Sequence, residues 1–427
     1  MKICDEEKIC KCCGESLVKI GQESSERMDV IPAQMRVLRQ IRLKYACPGC
    51  EGIEDPEGAV KIAPLPVQII PKGIASAGLL AHVVVAKYAD ALPLYRQEQQ
   101  FRRLGVNIGR GTLCKWVLQV ASACEIIANL LLEKITEGPI LGMDETPVQV
   151  LNEPGRTNTT LSYFWACRGG DPNHPTIVFR YYPSRGSSVP KELLKNYRGY
   201  LQTDGYIGYK LIGKRDSIIH LACMAHVRRK FVDVVKGAKK SGVAQEALEY
   251  IGSLYEIERR ADEQNLTPEA RFETRNLEAR PLLVEFKSFL EKKERTTPPK
   301  SLLGKAISYT LNLWKELNVY LEDGRLHIDN NLVENAIRPI ALGRKNWLFA
   351  ASPRGAHATA TLYSIIETAK ENGLEPYAYL RFLFTELPQA TSREEIKALL
   401  PQNLDRNRLS KFMDLENHNR IDSSTRV

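Results

Sequence analysis

The sequence lacks long hydrophobic runs. No stretch approaches the roughly 18 consecutive apolar residues of a membrane-spanning helix, which excludes a membrane protein of that kind. The N-terminal residues 1–7 are acidic and lack the basic segment, followed by an apolar one, of a secretory signal peptide. An apolar fraction of 43% and a charged fraction of 26% exclude a disordered, collagen-like or fibrous chain. We therefore expect a folded cytosolic protein, with about three domains in its 427 residues.

The excess of positive charge is modest. There are 60 Lys and Arg residues against 51 Asp and Glu residues, a net charge of +9. This balance permits nucleic-acid binding, and a solvated basic face explains it equally well. The ten cysteines are not expected to form a disulfide framework in a cytosolic chain. Isolated cysteines in apolar contexts are expected to be mostly small buried residues; they are Cys114, Cys124, Cys167 and Cys223.

The cysteines near the N-terminus are clustered. They form two C-x2-C pairs, Cys10 with Cys13 and Cys47 with Cys50. Two such turns complete a closed tetrahedral sphere, which is typical of a structural Zn(II) site. We predict one zinc ion on these four thiolates, in a zinc ribbon-like module over residues 1–62. Cys4 and Cys12 are additional thiols, of which Cys12 could replace a neighbour, and a reduced, metal-free loop is the alternative.

Residues 63–130 are predicted to be helical. A helix, a glycine turn at Gly105 and a second helix with apolar positions at Leu113 and Trp116 suit a helix-turn-helix unit that enters a major groove of DNA. A generic helical hairpin has the same pattern. Four cations without an intervening acid are the candidate DNA contacts; they are Arg102, Arg103, Arg110 and Lys115.

From residue 139 the periodicity changes to that of strands. Apolar alternation and glycine or proline turns predict three strands, a helix, a fourth strand and, after residue 204, a final strand. We assign them to the order βββαβαβ of an RNase H-like α/β fold, in which a second helix connects the last two strands. We expect this core to occupy residues 131–223, to be interrupted by an all-α insertion over 224–317, and to be completed over 318–390. Residues 391–427 lose periodicity and are expected to form a loose tail.

Two aspartates fall on neighbouring strands of this predicted core. Asp144 lies in the first strand, and Asp204 follows the fourth. Paired carboxylates repel each other unless a cation lies between them, and oxygen ligands with open positions suit two Mg(II) or Mn(II) ions. Such ions can activate the attacking oxygen and stabilise the leaving oxygen of a phosphodiester. The adjacent Glu145 points to the opposite face of the strand. For either aspartate alone, a turn or cap role is the simpler explanation.

A third carboxylate is expected from a helix that begins near Asn331. Glu334 is the candidate, although Asn331 and Glu334 also have the spacing of a capping box. Two basic runs are candidate DNA contacts; they are Arg228, Arg229 and Lys230, and Arg338, Arg344 and Lys345. For the first run, a solvated helix face is the alternative. Cys223 and His226 have the spacing of half a metal site, which is a weak signal without a second pair.

Several segments together resemble the insertion sequence 66 family of bacterial DDE transposases. They are 143–147, 203–206, 223–231 and 329–334, the last running on to 347. The resemblance implies an acidic triad of Asp144, Asp204 and Glu334, favours Asp144 over Glu145, and implies accessory proteins from the same element. Relatives usually carry more helical sequence before the cysteines, so we expect this chain to lack a segment that in them supports DNA binding or self-association.

The resulting hypothesis is a nucleoid-associated transposase. It would bind the DNA ends of its element and target DNA, cleave a strand, and transfer the freed 3′-hydroxyl, assembling as a homo-oligomer on DNA. Two alternatives remain at this point. One is a non-catalytic relic that occupies the ends as a repressor, and the other is a general RNase H-like nuclease without end specificity.

Overall fold

The computed structural model describes most of the chain, in the ranges 8–30, 33–48, 60–209, 212–237, 242–404 and 406–422. The chain divides into two compact units, Met1–Ile41 and Arg42–Val427. In the described part of the first unit, a tight turn runs from Cys10 to Gly14, where the Gly14 N–H donates to the Cys10 carbonyl at 2.9 Å. Gly14 has φ +77°, a left-handed conformation that favours glycine.

The second unit is an α/β structure with many helices. Its short antiparallel pair is β1 (Lys44–Ala46) with β2 (Val60–Ile62). The helices that precede the main sheet are α1 (Ala77–Tyr88), α2 (Leu94–Arg103), α3 (Arg110–Ala123) and α4 (Glu125–Ile135). Within the described residues, no single helix is long and apolar enough to cross a membrane, while α3 and α4 pass that test only as a pair bent by 47°.

A mixed six-stranded sheet forms the centre of this unit. Its strands are β3 (Ile140–Val150), β4 (Leu161–Asp171), β5 (His174–Tyr182), β6 (Gly199–Thr203), β7 (Ile218–Ala222) and β8 (Phe349–Ala350). The order is β5-β4-β3-β6-β7, and β8 pairs with the far end of β3. The first three strands are antiparallel, whereas β6, β7 and β8 join in parallel. The helix α5 (Ser188–Leu193) connects β5 to β6.

The remaining helices follow the sheet along the chain. They are α6 (Met224–Gly237), α7 (Gly242–Glu263), α8 (Pro268–Thr274), α9 (Arg280–Glu294), α10 (Leu302–Asn312), α11 (Trp314–Asn318), α12 (Asn331–Trp347), α13 (Pro353–Glu371), α14 (Pro376–Glu386), α15 (Arg393–Lys397) and α16 (Arg406–Asp422). Helices α6, α7, α9, α10 and α11 share one hydrophobic core with β7 and with the segment that leads to α12, including Leu254, Phe286 and Leu326.

Helix α13 is almost entirely buried because it covers the outer edge of the sheet. The hydroxyls of Ser364 and Thr368 accept the backbone N–H groups of Phe179 and Ile177 in β5, at 2.8 and 3.0 Å. An uncovered strand edge would expose these donors to another chain. The two buried hydroxyls therefore close the sheet on this side.

The connection from β6 to β7 differs from the predicted order βββαβαβ. Its described residues form two 3-10 turns, Ile207–Tyr209 and Ile212–Lys214, in place of the second helix. Gly205, Gly208 and Gly213 lie in this short connection, and glycine lowers helix propensity by about 1 kcal/mol per residue.

The C-terminal segment also differs from the expected loose tail. Within residues 391–427, α15 begins with a capping box between Ser392 and Glu395, and α16 follows. Leu400 and Leu409 are buried. These leucines are too widely spaced for a clear period in the sequence, yet they attach the segment to the rest of the unit.

Candidate active site

The parallel pairing of β3 with β6 brings the two predicted aspartates together. Gly142 pairs with Gln202, so two positions further on Asp144 is level with Asp204, which directly follows β6. Each carboxylate accepts a backbone N–H close in sequence: Asp144 from Glu145 at 2.8 Å, and Asp204 from Tyr206 at 2.9 Å. These bonds fix one oxygen of each carboxylate.

Helix α12 brings Glu334 to the same end of the sheet. The Asn330 side-chain amide donates to the Met143 carbonyl at 3.1 Å, which holds the start of the helix against β3. Asn330 is the N-cap residue of the helix, and its side chain forms no capping hydrogen bond. The Glu334 carboxylate faces Arg229 at 3.3 Å and His226 at 3.5 Å. Glu334 therefore does not form the capping box that its spacing allowed.

The approach of α12 to β3 requires glycine at position 142. A Cβ atom there would lie 2.3 Å from the Val333 Cγ2 and 2.9 Å from the Asn330 Oδ1. We expect Gly142→Ala to lower the free energy of unfolding by about 1–3 kcal/mol, because this overpacking displaces the helix. Urea denaturation measures the loss.

A matched control is Gly252→Ala in α7, where an added Cβ meets nothing within 4 Å. That change should stabilise the chain by about 0.5–1 kcal/mol. Removing the methyl groups of Val333 in a Gly142→Ala/Val333→Ala variant should recover part of the loss. A Gly142→Ala variant as stable as the parent would show that the close approach does not exist.

Electrostatic crowding marks this end of the sheet. Burial raises the pKa of Asp144 to about 8, and the neighbouring carboxylates of Glu145, Asp204 and Glu334 add to the rise. Such a group of acids is stable as a set of anions only with a compensating cation. The donor set consists of carboxylate oxygens, the ligands that Mg(II) and Mn(II) prefer, so the residues present fit such a metal.

Glu145 is engaged elsewhere. Its side chain is fully buried and accepts hydrogen bonds from Arg185 and from the Tyr209 hydroxyl. The Arg185 guanidinium also lies over the Tyr206 ring at 3.9 Å from its centroid. Glu145 therefore ties the connection after Asp204 to β3.

Cys223 and His226 also lie beside Glu334. One ligand atom of each of the three side chains lies within 4.8 Å of the others. Burial lowers the pKa of His226 and raises the pKa of the Cys223 thiol to about 12. Cys124 and Cys167 are buried as expected, but Cys114 is exposed, because it lies on the solvent side of α3.

Three family profiles match the chain. The profile described as the transposase IS66 family matches residues 72–358, the zinc-finger binding domain of transposase IS66 matches 7–51, and the IS66 C-terminal element matches 364–402. This chain belongs to the IS66 transposase family. The resemblance inferred from the sequence is thereby confirmed.

Relatives in Sinorhizobium fredii cover nearly the whole chain. Uncharacterized protein y4jD is 37% identical over 93% of this chain and 78% of its own length. Uncharacterized protein y4qI is 35% identical over 92% of this chain and 73% of its own length. Uncharacterized protein y4hP is 30% identical over 87% of this chain and 69% of its own length.

The zinc-finger segment of this IS66 chain contains a preformed thiol turn. The backbone N–H groups of Cys12 and Cys13 donate to the Cys10 sulfur and lower the pKa of that thiol. A lowered pKa favours the thiolate, which is the form that binds zinc. Cys47 belongs to the second unit, and Cys50 lies outside the described residues.

The predicted basic residues lie on four helices. Most are exposed; they are Arg102 and Arg103 on α2, Arg110 and Lys115 on α3, Arg228, Arg229 and Lys230 on α6, and Arg338 and Lys345 on α12. Arg344 is half-buried and donates to the Thr146 hydroxyl at 3.3 Å, and Arg102 pairs with Glu98. A cavity of about 390 Å³ is lined by Ala225, Arg228, Arg229, Val232, Tyr255 and Asn331.

Sequence reasoning missed the residues that hold the segment before α12. Every residue of 326–330 is tied down by a hydrogen bond from elsewhere in the fold. The donors to the carbonyls of Leu326, His327 and Ile328 are Arg275, Gln202 and the Met224 backbone, at 2.8 to 3.1 Å. The Tyr255 hydroxyl donates to Asp329, and Asn330 bonds to Cys223 and Met143. No periodic signal in the sequence marks these partners.

Proposed function

We propose that this chain catalyses divalent-metal-dependent cleavage of DNA strands at insertion-sequence ends and the transfer of those ends to target DNA. The observation that carries the proposal is the convergence of Asp144, Asp204 and Glu334 from two strands and a helix. The strand order β5-β4-β3-β6-β7 supports an RNase H-like core, formed by residues 131–223 and 318–390 around the helical insertion 224–317.

The three carboxylates would hold two Mg(II) or Mn(II) ions. When bound, such ions activate the attacking oxygen and stabilise the leaving oxygen of a phosphodiester. The chain's own residues orient the carboxylates: backbone N–H groups of Glu145 and Tyr206 fix Asp144 and Asp204. Arg229 and its neighbour Arg228 line the cavity beside Glu334 and offer charge-assisted hydrogen bonds to a DNA phosphate.

DNA binding is assigned to the exposed cations of several regions. We propose that residues 63–130 act as a helix-turn-helix unit through Arg102, Arg103, Arg110 and Lys115. We further propose that phosphates near the cleavage site contact Arg228, Arg229, Lys230, Arg338, Arg344 and Lys345. One structural zinc ion on Cys10, Cys13, Cys47 and Cys50 would stabilise the N-terminal module 1–62. Homo-oligomers on DNA and accessory proteins complete the proposal.

The salt dependence of DNA binding tests whether the cations of α3 contact DNA phosphates. If Arg110 and Lys115 each neutralise a phosphate, the slope of log affinity against log salt should become less negative by about 1.8 in the double alanine variant, at about 0.9 per phosphate. Fluorescence anisotropy with labelled end DNA measures it. Lys292 and Arg295, exposed on and just after α9, provide a matched double variant that should leave the slope unchanged.

The proposed activity is tested with the purified full chain, Mn(II) and labelled element-end DNA. We expect nicking at the end sequence and joining of the labelled 3′ end to a second DNA molecule. An excess of unrelated DNA should compete poorly. Binding without nicking under any divalent ion would contradict catalysis and favour a repressor, and equal cleavage of unrelated DNA or RNA would favour a general nuclease.

A further inference from the structure

A cluster of three ligand types lies beside the proposed magnesium site. It consists of the Cys223 sulfur, the His226 Nδ1 and a Glu334 oxygen, and these atoms lie within 4.8 Å of one another. The cysteine and histidine come from the start of α6, and the glutamate comes from α12. A sulfur, an imidazole nitrogen and a carboxylate oxygen form a donor set of the kind that zinc uses in sites with an open position.

Two of these atoms lack a hydrogen-bond partner. The His226 Nδ1 and the Glu334 Oε1 are both buried and, within the described residues, unpaired. They face each other at 3.5 Å, beyond the usual 2.7–3.2 Å of an N–H···O hydrogen bond. Buried polar atoms are rarely left unpaired in folded proteins, so these two point to a missing partner between them.

The Cys223 turn repeats the local geometry of the zinc-finger turn at Cys10. In each turn the backbone N–H of the residue three positions later, His226 or Cys13, donates to the cysteine sulfur. A second backbone N–H also reaches each sulfur, from Asn330 at 3.2 Å in one case and from Cys12 in the other. These backbone donors hold each sulfur in place, although burial keeps the Cys223 thiol protonated until a metal displaces its proton.

We propose that Cys223, His226 and Glu334 form a second metal site, selective for a borderline-soft divalent ion of the Zn(II) class. Mg(II) and Mn(II) prefer oxygen ligands, whereas thiolate and imidazole together select zinc. Water supplies the remaining ligand, and the Cys223 thiol loses its proton to solvent when the metal binds. This proposal does not depend on DNA cleavage by the chain, because it is argued from the positions of three donor atoms.

One consequence rests on the proposed function. Glu334 would serve both this site and the proposed magnesium site. A zinc ion that holds Glu334 therefore withdraws it from Asp144 and Asp204. Zinc then acts as an inhibitor of cleavage that competes with magnesium.

Cobalt substitution tests the site directly. The full chain, freed of loosely bound metal, is titrated with Co(II), whose absorption bands report coordination number and thiolate ligation. We expect Cys223→Ala to bind one ion fewer per chain, or to bind it about 100-fold more weakly, than the parent. Cys124→Ala, which removes another buried thiol, should behave as the parent does. The N-terminal cysteines contribute equally to Co(II) binding in the parent, in Cys223→Ala and in Cys124→Ala.

A second variant, His226→Gln, guards against a folding defect, since this side chain is partly exposed and circular dichroism reports its fold. It should lose the same ion. Equal cobalt binding and equal spectra in the parent, Cys223→Ala and His226→Gln would overturn the proposal. In cleavage assays with Mg(II), zinc should inhibit the parent at about tenfold lower concentration than Cys223→Ala, each relative to its own zinc-free rate. If no protein cleaves DNA, the proposed function fails, while the cobalt titration still decides the metal site.

Discussion

Asp204→Asn is expected to lower the rate of end cleavage by about 10³-fold or more while leaving DNA binding intact. The substitution keeps the shape of the side chain and can still accept the Tyr206 N–H. It removes one anion from a group of carboxylates that, together with the larger effect of burial, raises the pKa of Asp144. Loss of one preorganised electrostatic contact costs roughly 10²–10³ in rate, and loss of a metal ligand adds to that cost.

Nicking of labelled end DNA in Mn(II) gives the rate, and fluorescence anisotropy gives the affinity for DNA. Asp144→Asn and Glu334→Gln should produce losses of the same order, since all three carboxylates share the proposed ions. Asp171→Asn is the matched control, because Asp171 also lies at the end of a strand but is exposed and is five residues along β4 from Ala166, which pairs with Asp144. An Asp204→Asn protein as active as the parent would refute the proposed mechanism.

Manganese binding provides a readout that does not depend on cleavage. Isothermal titration should show weaker Mn(II) binding in Asp204→Asn and Glu334→Gln than in Asp171→Asn. The thermal midpoints of the aspartate variants should not fall, because each substitution relieves repulsion among half-buried carboxylates. A fall in stability without a change in Mn(II) affinity would indicate that Asp204 serves the fold only.

The sequence was most informative where local patterns determine the structure. Turns after Gly155 and after Asp171 separate three alternating strands, and they indicate the antiparallel β3–β4–β5 arrangement. The adjacency of Asp144 and Asp204 followed from that topology, because the next strand joins β3 in parallel. These features depend on the period of two and on glycine turns.

The sequence was least informative where contacts join distant residues. Glu334 reaches Cys223 and His226 only because α12 packs on β3 at Gly142, which no local period reveals. The capping-box spacing of Asn331 and Glu334 favoured a local role that the structure does not have. The spacing of residues in the sequence cannot show which of several partners the Glu334 carboxylate contacts. The tertiary structure determines that it contacts His226 and Arg229.

Arg275→Met is expected to lower the free energy of unfolding by about 3–5 kcal/mol, the largest stability effect among these variants. The Arg275 guanidinium is buried and all of its donors are used. It donates twice to Glu258, at 2.7 and 2.8 Å, and also to the carbonyls of Tyr320, Asp323 and Leu326 at 2.7 to 2.9 Å. Methionine fills similar volume but leaves a buried carboxylate and three carbonyls without these donors.

The same variant should impair the site through the segment that leads to α12. Leu326 lies three residues before Asp329 on the segment that leads to α12, so freeing its carbonyl loosens the start of the helix that carries Glu334. We expect weaker Mn(II) binding at temperatures where the variant is still folded. Arg275→Lys should recover little, because an ammonium group has three donors and cannot reproduce the planar fork. Arg280→Met, at an exposed arginine five positions later, is the matched control.

A double-mutant cycle separates the ion pair from the carbonyl contacts. Arg275→Met/Glu258→Met removes both buried charges, so it should be less destabilised than the sum of its single variants. Arg271 also pairs with Glu258, at 3.0 Å, and partly compensates the carboxylate in Arg275→Met. The carbonyls of Tyr320, Asp323 and Leu326 lose their donor in Arg275→Met and in the double variant alike. The double variant should therefore remain less stable than the parent. A double variant as stable as the parent would show that these carbonyls find other donors, and that Arg275 does not position α12.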